Sequence, residues 1–300
     1  MQLSPEMLRL IASPGQFCNG NFMSSNVGRL DLKFAPIAGK TCIIHRSYSG
    51  TIYILHPIYT DTCYPEQVFI YTIQLGDGMV QGDRYFLNFT CETGSAVHIT
   101  SQAATKIFRM EEDLAYQGVN LTVRDQSFVE YLPDPIIPFR DSRCYQRIFL
   151  DVAPTATLIL GEILLPGRVA HGERHVYTLY HSDMEATRPD GTLLFADRTH
   201  FTPLQAPLQS PGRLGSYEVL GSLYIITQRI AARDLVERLR YSLASQTEVL
   251  AGASELPNAC GVCVRMLGLT SLLVKEAFHL AWNEARMTLL GVPAPDLRKC

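Results

Sequence analysis

The stretch VNLTVRDQSFVEYLPDPIIPFRDSRCYQRIFLDVAPTATLILGEILL, residues 119–165, decides the fold class. Within it VNLTV (119–123), SFVEYL (127–132), RIFLDV (147–152) and TLILGEILL (157–165) are short runs rich in Val, Ile, Phe, Tyr and Thr. Several alternate polar with apolar residues, the period of a half-buried strand. Pro133-Asp134-Pro135 punctuates them as a turn. No helical period intervenes, which argues for an all-β core and against a doubly wound sheet.

The same grammar extends outward. LDLKF (30–34), TCIIHRSY (41–48), TIYILHPIY (51–59), VFIYTIQL (68–75), RYFLNFTC (84–91), AVHIT (96–100) and HVYTLYHS (175–182) read as strands. Gly76-Asp77-Gly78, Thr93-Gly94 and Pro166-Gly167 separate them. Asn88-Phe-Thr90 and Asn120-Leu-Thr122 match the glycosylation sequon but fall in strand patterns and are read as strand residues. Thr202 to Gly215 reads as a loop. The last third changes period. Leu235, Leu239 and Leu243 recur at helical spacing in 232–243. A second helix is expected over 270–290, capped by Thr270 or Ser271 and ended by Gly291 and Pro293. Its stripe of Val274, Phe278, Ala281, Trp282, Ala285 and Leu289 should pack on the β core or face a partner. The chain is read as a single domain over 1–300, with a β core at about 28–200 and a mixed part at about 216–300.

Composition narrows the function classes. With 47% hydrophobic and 18% charged residues over 300 positions, disorder is excluded and a large core is available. A net charge of −3 gives no basic footprint for nucleic acid. The most apolar run, Thr157–Leu165, is too short to span a membrane and carries Glu162. The start, MQLSPEMLRLIASPG, has Pro5 and Glu6 where an export signal would be basic, so a cytoplasmic location is expected. The eight cysteines are then reduced thiols. Cys260-Gly-Val-Cys263 lacks a second pair; it is read as small residues before a helix, with metal or redox use the alternative.

Motifs for catalysis are missing. There is no G-x-S-x-G and no H-E-x-x-H, and Phe34 stands where a phosphate loop before Gly39-Lys40-Thr41 needs glycine. His171, Glu173 and His175 would share one face of an extended segment and could hold a divalent metal such as nickel; the alternative is a polar outer strand face. A stand-alone metal-binding protein or metalloenzyme would use these three, with His181 as a further candidate. Glu162 between Ile159-Leu160 and Ile163-Leu164-Leu165 is the sharpest anomaly, since an ionised carboxylate there must be paired or wet. Lys106 and Glu130 pose the same problem, and Arg168 could neutralise Glu162. Each could be a structural ion pair; together they point to a polar interior.

At these residues the chain resembles the UreD (UreH) family of urease accessory proteins. The blocks are Gly76-Asp-Gly-Met-Val-Gln-Gly82-Asp83-Arg84, then Ile99-Thr-Ser-Gln-Ala-Ala-Thr-Lys106-Ile-Phe-Arg109, then Glu130-Tyr-Leu-Pro-Asp134-Pro-Ile-Ile-Pro138-Phe139. Gly161-Glu162, Gly167-Arg168 and Gly172-Glu173 follow, and a tail block of Arg265-Met-Leu-Gly268, Trp282, Arg286 and Leu289-Leu-Gly291. They occur in the family's order from Gly28 onward. Asp77 interrupts the first block's glycine run, the tail ends differently at Pro295–Cys300, and His171 and His175 are outside the matched motif.

The resemblance implies a mainly β fold of the right-handed β-helical type with a few helices. It implies a non-enzymatic scaffold in urease maturation that binds a UreF-like protein and, through it, a UreG-like GTPase on the urease subunits. It also implies nickel in transit through an internal tunnel, with no tightly bound cofactor. The candidate lining is Asp83, Glu130, Glu162, Glu173 and Asp197, with Lys106 and Arg168 as balancing charges. The acids are expected to stay ionised because solvent reaches them inside the core.

Overall fold

The computed structural model describes residues 27–297. The N-terminal stretch read above and the chain end at Cys300 lie outside the described residues. The strands, in chain order, are β1 (Val27–Ile37), β2 (Lys40–Ser49), β3 (Ile52–Ile54), β4 (Val68–Gln74), β5 (Arg84–Cys91), β6 (Ala96–Ser101), β7 (Thr105–Ile107), β8 (Ala115–Val123) and β9 (Phe128–Tyr131). Then come β10 (Ile136–Pro138), β11 (Arg143–Val152), β12 (Thr157–Leu164), β13 (Leu179–Thr187), β14 (Leu193–Phe201), β15 (Val219–Ile226), β16 (Val249–Glu255) and β17 (Gly261–Gly268). Two α-helices follow the same order, α1 (Ala232–Leu243) and α2 (Ser271–Leu290).

From β4 to β13 the longer strands alternate between two sheets. The first sheet has the order β14-β13-β11-β8-β5-β1-β2; the second runs β16-β17-β15-β12-β9-β6-β4-β3. Neighbours β1, β5, β8, β11 and β13 are parallel in one, and β4, β6, β9 and β12 in the other. Each passage through both sheets is one coil stacked on the last, a β-solenoid of about four turns. This is the β-helical architecture expected from the resemblance.

Stacking explains the strand compositions. Val68, Val97, Val129 and Leu158 stand in line through the second sheet, as do Ile70, Ile99, Tyr131 and Leu160. They face Leu30, Leu87, Val119, Ile148 and Met184, and Leu32, Phe89, Leu121, Leu150 and Ala186, of the first sheet. These buried side chains form one apolar core between the sheets. Dispersion and loss of apolar surface from water both act along such rows. On the outer face of the first sheet the sequon residues form a ladder: Asn120 Nδ2 donates to Asn88 at 2.7 Å, and Asn88 Nδ2 to Asp31 at 2.6 Å.

Helices α1 and α2 cover the outer face of the second sheet in a separate apolar cluster. The Thr270 hydroxyl caps α2, and Gly291 ends it in the left-handed conformation, as read from sequence. Phe278 and Leu289 are only partly buried, whereas Arg286 of the same helix is fully buried. Three expectations need correction. HVYTLYHS is not a strand from its start: the strand begins at Leu179, and His175 sits at φ 53° in the preceding loop. TIYILHPIY is a strand only over Ile52–Ile54, because Pro57 cannot donate to a ladder. Cys260 and Cys263 lie before and within β17 rather than before a helix.

Candidate functional site

One layer of the solenoid interior is polar. In the first sheet Tyr85, Gln117, Gln146 and Ser182 stack in register one inward position beyond Leu87, Val119, Ile148 and Met184. Opposite them the inward position after Leu160 is Glu162, and the one after Ile70 and Ile99 is the pair Thr72 and Ser101. Side chains that cannot fill space as aliphatics do leave a cavity of about 250 Å³ here. Its polar lining includes Tyr85, Lys106, Gln117, Asp134, Gln146 and Glu162. Gln146 Nε2 donates to Glu162 Oε1 at 2.7 Å, and the Ser182 hydroxyl reaches the same oxygen at 3.5 Å. Gln146 Oε1 has no partner among the described residues, so it is left for water or a cation.

Space continues beyond Glu162. A second void of about 10 Å³, near the least a water needs, is lined by Glu162, Tyr180, Thr199 and Ser222. Ser222 accepts a hydrogen bond from Arg265, whose guanidinium also pairs with Asp197. Tyr224 donates to Asp197 at 2.8 Å. Burial pushes the Glu162 carboxyl up to about 7; Asp197 adds to the rise, while Arg265 and the hydrogen bonds from Ser182 and Gln146 oppose it. Near neutral pH this acid therefore holds on to its proton more than an ordinary carboxylate, where full ionisation was expected. The cation that acts on it is Arg265, not Arg168.

The other sequence candidates fall into three places. Asp83 stands behind the lining, accepting from Val80 N at 2.8 Å and from the hydroxyl of Tyr85 at 3.1 Å. Glu130 points away from the lumen, to the interface with α2, where it meets His98 Nδ1 at 2.9 Å, Trp282 Nε1 at 2.6 Å and Arg286 Nη1 at 3.0 Å. Burial alone would raise its pKa, but His98, Arg286 and Trp282 outweigh this and hold it below the usual carboxylate range. Its charge is kept by partners rather than by solvent. Glu173 is gripped by Arg168, with Nε to Oε2 at 2.8 Å, and that hydrogen bond lowers its pKa. Arg168 also lies 4.1 Å from the Phe139 ring centroid.

The extended His-Glu-His face does not form. Residues 169–171 are a 3₁₀ turn, His171 is exposed, Glu173 is occupied by Arg168, and burial pushes His175 down to about 4. Among the described residues no group of three His, Cys, Asp or Glu side chains converges as a metal site.

Sequence reading missed Gln117, Gln146 and Arg265. The glutamines carry no charge to flag them, but each stands two residues before an inward aliphatic, at matched positions of successive coils. Aligning the coils would have exposed the row.

A family model described as "UreD urease accessory protein" matches residues 26–299. The chain belongs to the UreD family. Relatives agree over nearly its full length. It is 39% identical to "Urease accessory protein UreD 2" of Streptomyces griseus over 98% of this chain and 100% of that one. It is 34% identical to "Urease accessory protein UreD" of Haloarcula marismortui over 91% and 90%, and 30% identical to that of Photorhabdus laumondii over 98% and 91%.

The UreD blocks now have physical tasks. Glu130, Trp282 and Arg286, distant in sequence, form the polar hub under α2. Gly161 and Gly268, together with Gly221 from outside the blocks, seat that helix: a Cβ on Gly161 would strike Phe278, and one on Gly221 or Gly268 would press on Val274 at 2.8 or 2.6 Å. Gly78 lets the first block lie against Lys106, whose Cβ would be 2.9 Å from an added methyl. No helix among the described residues is long and apolar enough to cross a membrane.

Proposed function

We propose that this chain is a non-enzymatic scaffold of urease maturation in the cytoplasm. It holds a UreF-like protein and, through it, a UreG-like GTPase on apo-urease, and nickel passes through its polar interior layer on the way to the urease active site. Membership of the UreD family supports the urease-related role. The observation that carries the transit reading is the cavity between the sheets, which ends at Glu162 with a further void beyond the same carboxylate.

The chemistry suits a passing ion. Tyr85, Gln117, Gln146 and Glu162 offer neutral oxygens and one titratable acid rather than a tight cage, and an ion that must leave is best held weakly at several positions. An arriving divalent cation favours the ionised form of Glu162, so entry releases a proton from a group balanced near neutrality. Asp197, Tyr224 and Arg265 extend the polar path past Glu162.

The test is urease activation in cells that express urease with its accessory proteins, with co-precipitation read in parallel. Glu162→Ala is expected to leave the complex intact and the urease largely inactive. Full activation by that variant would remove the conduit and leave the scaffold. Loss of any association of the unaltered chain with a UreF-like protein and urease would remove the scaffold as well.

A further inference from the structure

The outer face of the first sheet carries two histidines that the polar interior does not use. His181 on β13 and His200 on β14 are direct cross-strand partners. Their neighbours Tyr180 and Ser182 point inward and are buried, so both imidazoles stand on the outer face, His200 exposed and His181 half-buried. The two Nδ1 atoms lie 3.0 Å apart and share a hydrogen bond, one ring donating to the other. The edge of His181 packs on Tyr145, with ring centroids 5.0 Å apart, which limits where that ring can turn. The next pair along the same face is Asp183 and Arg198, joined at 2.9 Å.

We infer that His181 and His200 form a surface site for a late first-row divalent metal ion, of the nickel and copper class, bound through both Nδ1 atoms. Imidazole is a preferred ligand for these ions. Two nitrogens each about 2.1 Å from an ion and at right angles stand about 3.0 Å apart, whereas tetrahedral ligands stand about 3.4 Å apart. The observed separation matches adjacent corners of a square-planar or octahedral shell, the geometries of Cu(II) and Ni(II). The donor ring moves its proton from Nδ1 to Nε2, small ring rotations then aim both Nδ1 lone pairs at a common ion, and water fills the remaining positions. The site is separate from the interior cavity, and its existence does not depend on nickel passing through the protein.

The experiment is a calorimetric titration of the full chain without an affinity tag, alone or with its UreF-like partner, using NiCl₂ and CuCl₂ in turn. His181→Gln and His200→Gln are each expected to weaken one site roughly tenfold or more, because even groups behind a metal ligand contribute that much. Glu162→Gln should leave this site unchanged. The Cu(II) electron paramagnetic resonance spectrum should carry coupling to two imidazole nitrogens in the unaltered chain and to one in each variant. Isotherms of both histidine variants that superpose on that of the unaltered chain would overturn the assignment, as would an unchanged spectrum. Should His181→Gln lose its fold by circular dichroism, His200→Gln on the exposed edge strand carries the test alone.

Discussion

Arg286 and Glu130 meet where no solvent reaches either side chain. Nη1 donates to Oε2 at 3.0 Å, joining α2 to β9. Three further guanidinium N–H groups have partners: Nη1 reaches Gln67 Oε1 at 3.0 Å, Nε reaches the Pro293 carbonyl at 3.1 Å, and Nη2 pairs with Asp61. Gln67 Nε2 closes the ring on Glu130 at 3.0 Å. A buried ion pair depends on its remaining donors and acceptors being used, and here four of the five guanidinium N–H groups have partners. The hub fixes the helix, the 55–67 loop and the chain after α2 to the back of the strand whose next residue, Tyr131, lines the cavity.

Removing one partner of this pair should be far worse than removing both. Arg286→Met leaves Glu130 and Asp61 buried without the guanidinium they share, and a loss of about 3–5 kcal/mol in unfolding free energy is expected. Adding Glu130→Gln should restore part of it. Denaturant unfolding of the two single variants and the double variant measures the coupling. Additive losses would mean that the two residues act independently, contrary to the geometry.

The glycine at position 161 sets how closely α2 approaches the sheet. Gly161→Val would force Phe278 and then the helix outward, and overpacking of this kind costs about 1–3 kcal/mol. The same substitution combined with Phe278→Ala should recover much of the loss. Thermal unfolding checks both, and equal destabilisation by the single and double variants would remove the steric account.

Gln117 offers a way to close the cavity without touching a charge. Gln117→Phe puts an aromatic ring into the polar layer between Tyr85 and Gln146, whereas Gln117→Ala widens it. Under the transit reading, Gln117→Phe should cut urease activation in cells at least several-fold while the complex still co-precipitates, and Gln117→Ala should not. Equal activation by the two would separate the cavity from nickel delivery.

Much of the fold was legible because parallel coils demand aliphatic rows, and those rows dominate residues 68–160. The helix at 271–290 was equally plain, since its cap and its terminal glycine are local features. Strands β16 and β17 were not legible: VLAGASE and GVCVRMLG carry Gly, Ala and Ser, which pack closely under the helices but show little β preference. At the site, Glu162 stood out because charge among aliphatics is conspicuous. Its true neighbours did not, because Gln146 and Arg265 reach it only through the stacking of coils. Glu130 was flagged for the right reason and placed on the wrong face. A one-residue change of register reverses a strand side chain, and only Arg286, far along the chain, shows which way it turns.

Two buried groups give the pH dependence of stability an unusual form. The carboxyl of Glu162 is pushed up to about 7 from 4.5, so between those values the native state keeps a proton that the unfolded chain has released. Stability from this group is therefore largest at the acid end and falls as pH rises, by about 1.4 kcal/mol per unit. His175 is pushed down to about 4 from 6.5, so the native state lacks a proton that the unfolded chain takes up, and stability falls as pH drops through that window. From pH 4.5 to 6.5 these two slopes oppose each other, and His181, whose pKa is also lowered, adds to the His175 arm below 6.5. Below this window the lowered carboxyls of Glu130 and Glu173 stop protecting the fold as they take up protons. Glu162→Gln abolishes the carboxyl arm only, so its unfolding free energy should climb with pH across this window more steeply than that of the unaltered chain. Unfolding curves at half-unit pH intervals decide this. Parallel profiles for the two proteins would mean that Glu162 titrates as an ordinary wet carboxylate, and the proton release proposed to accompany cation entry would go with it.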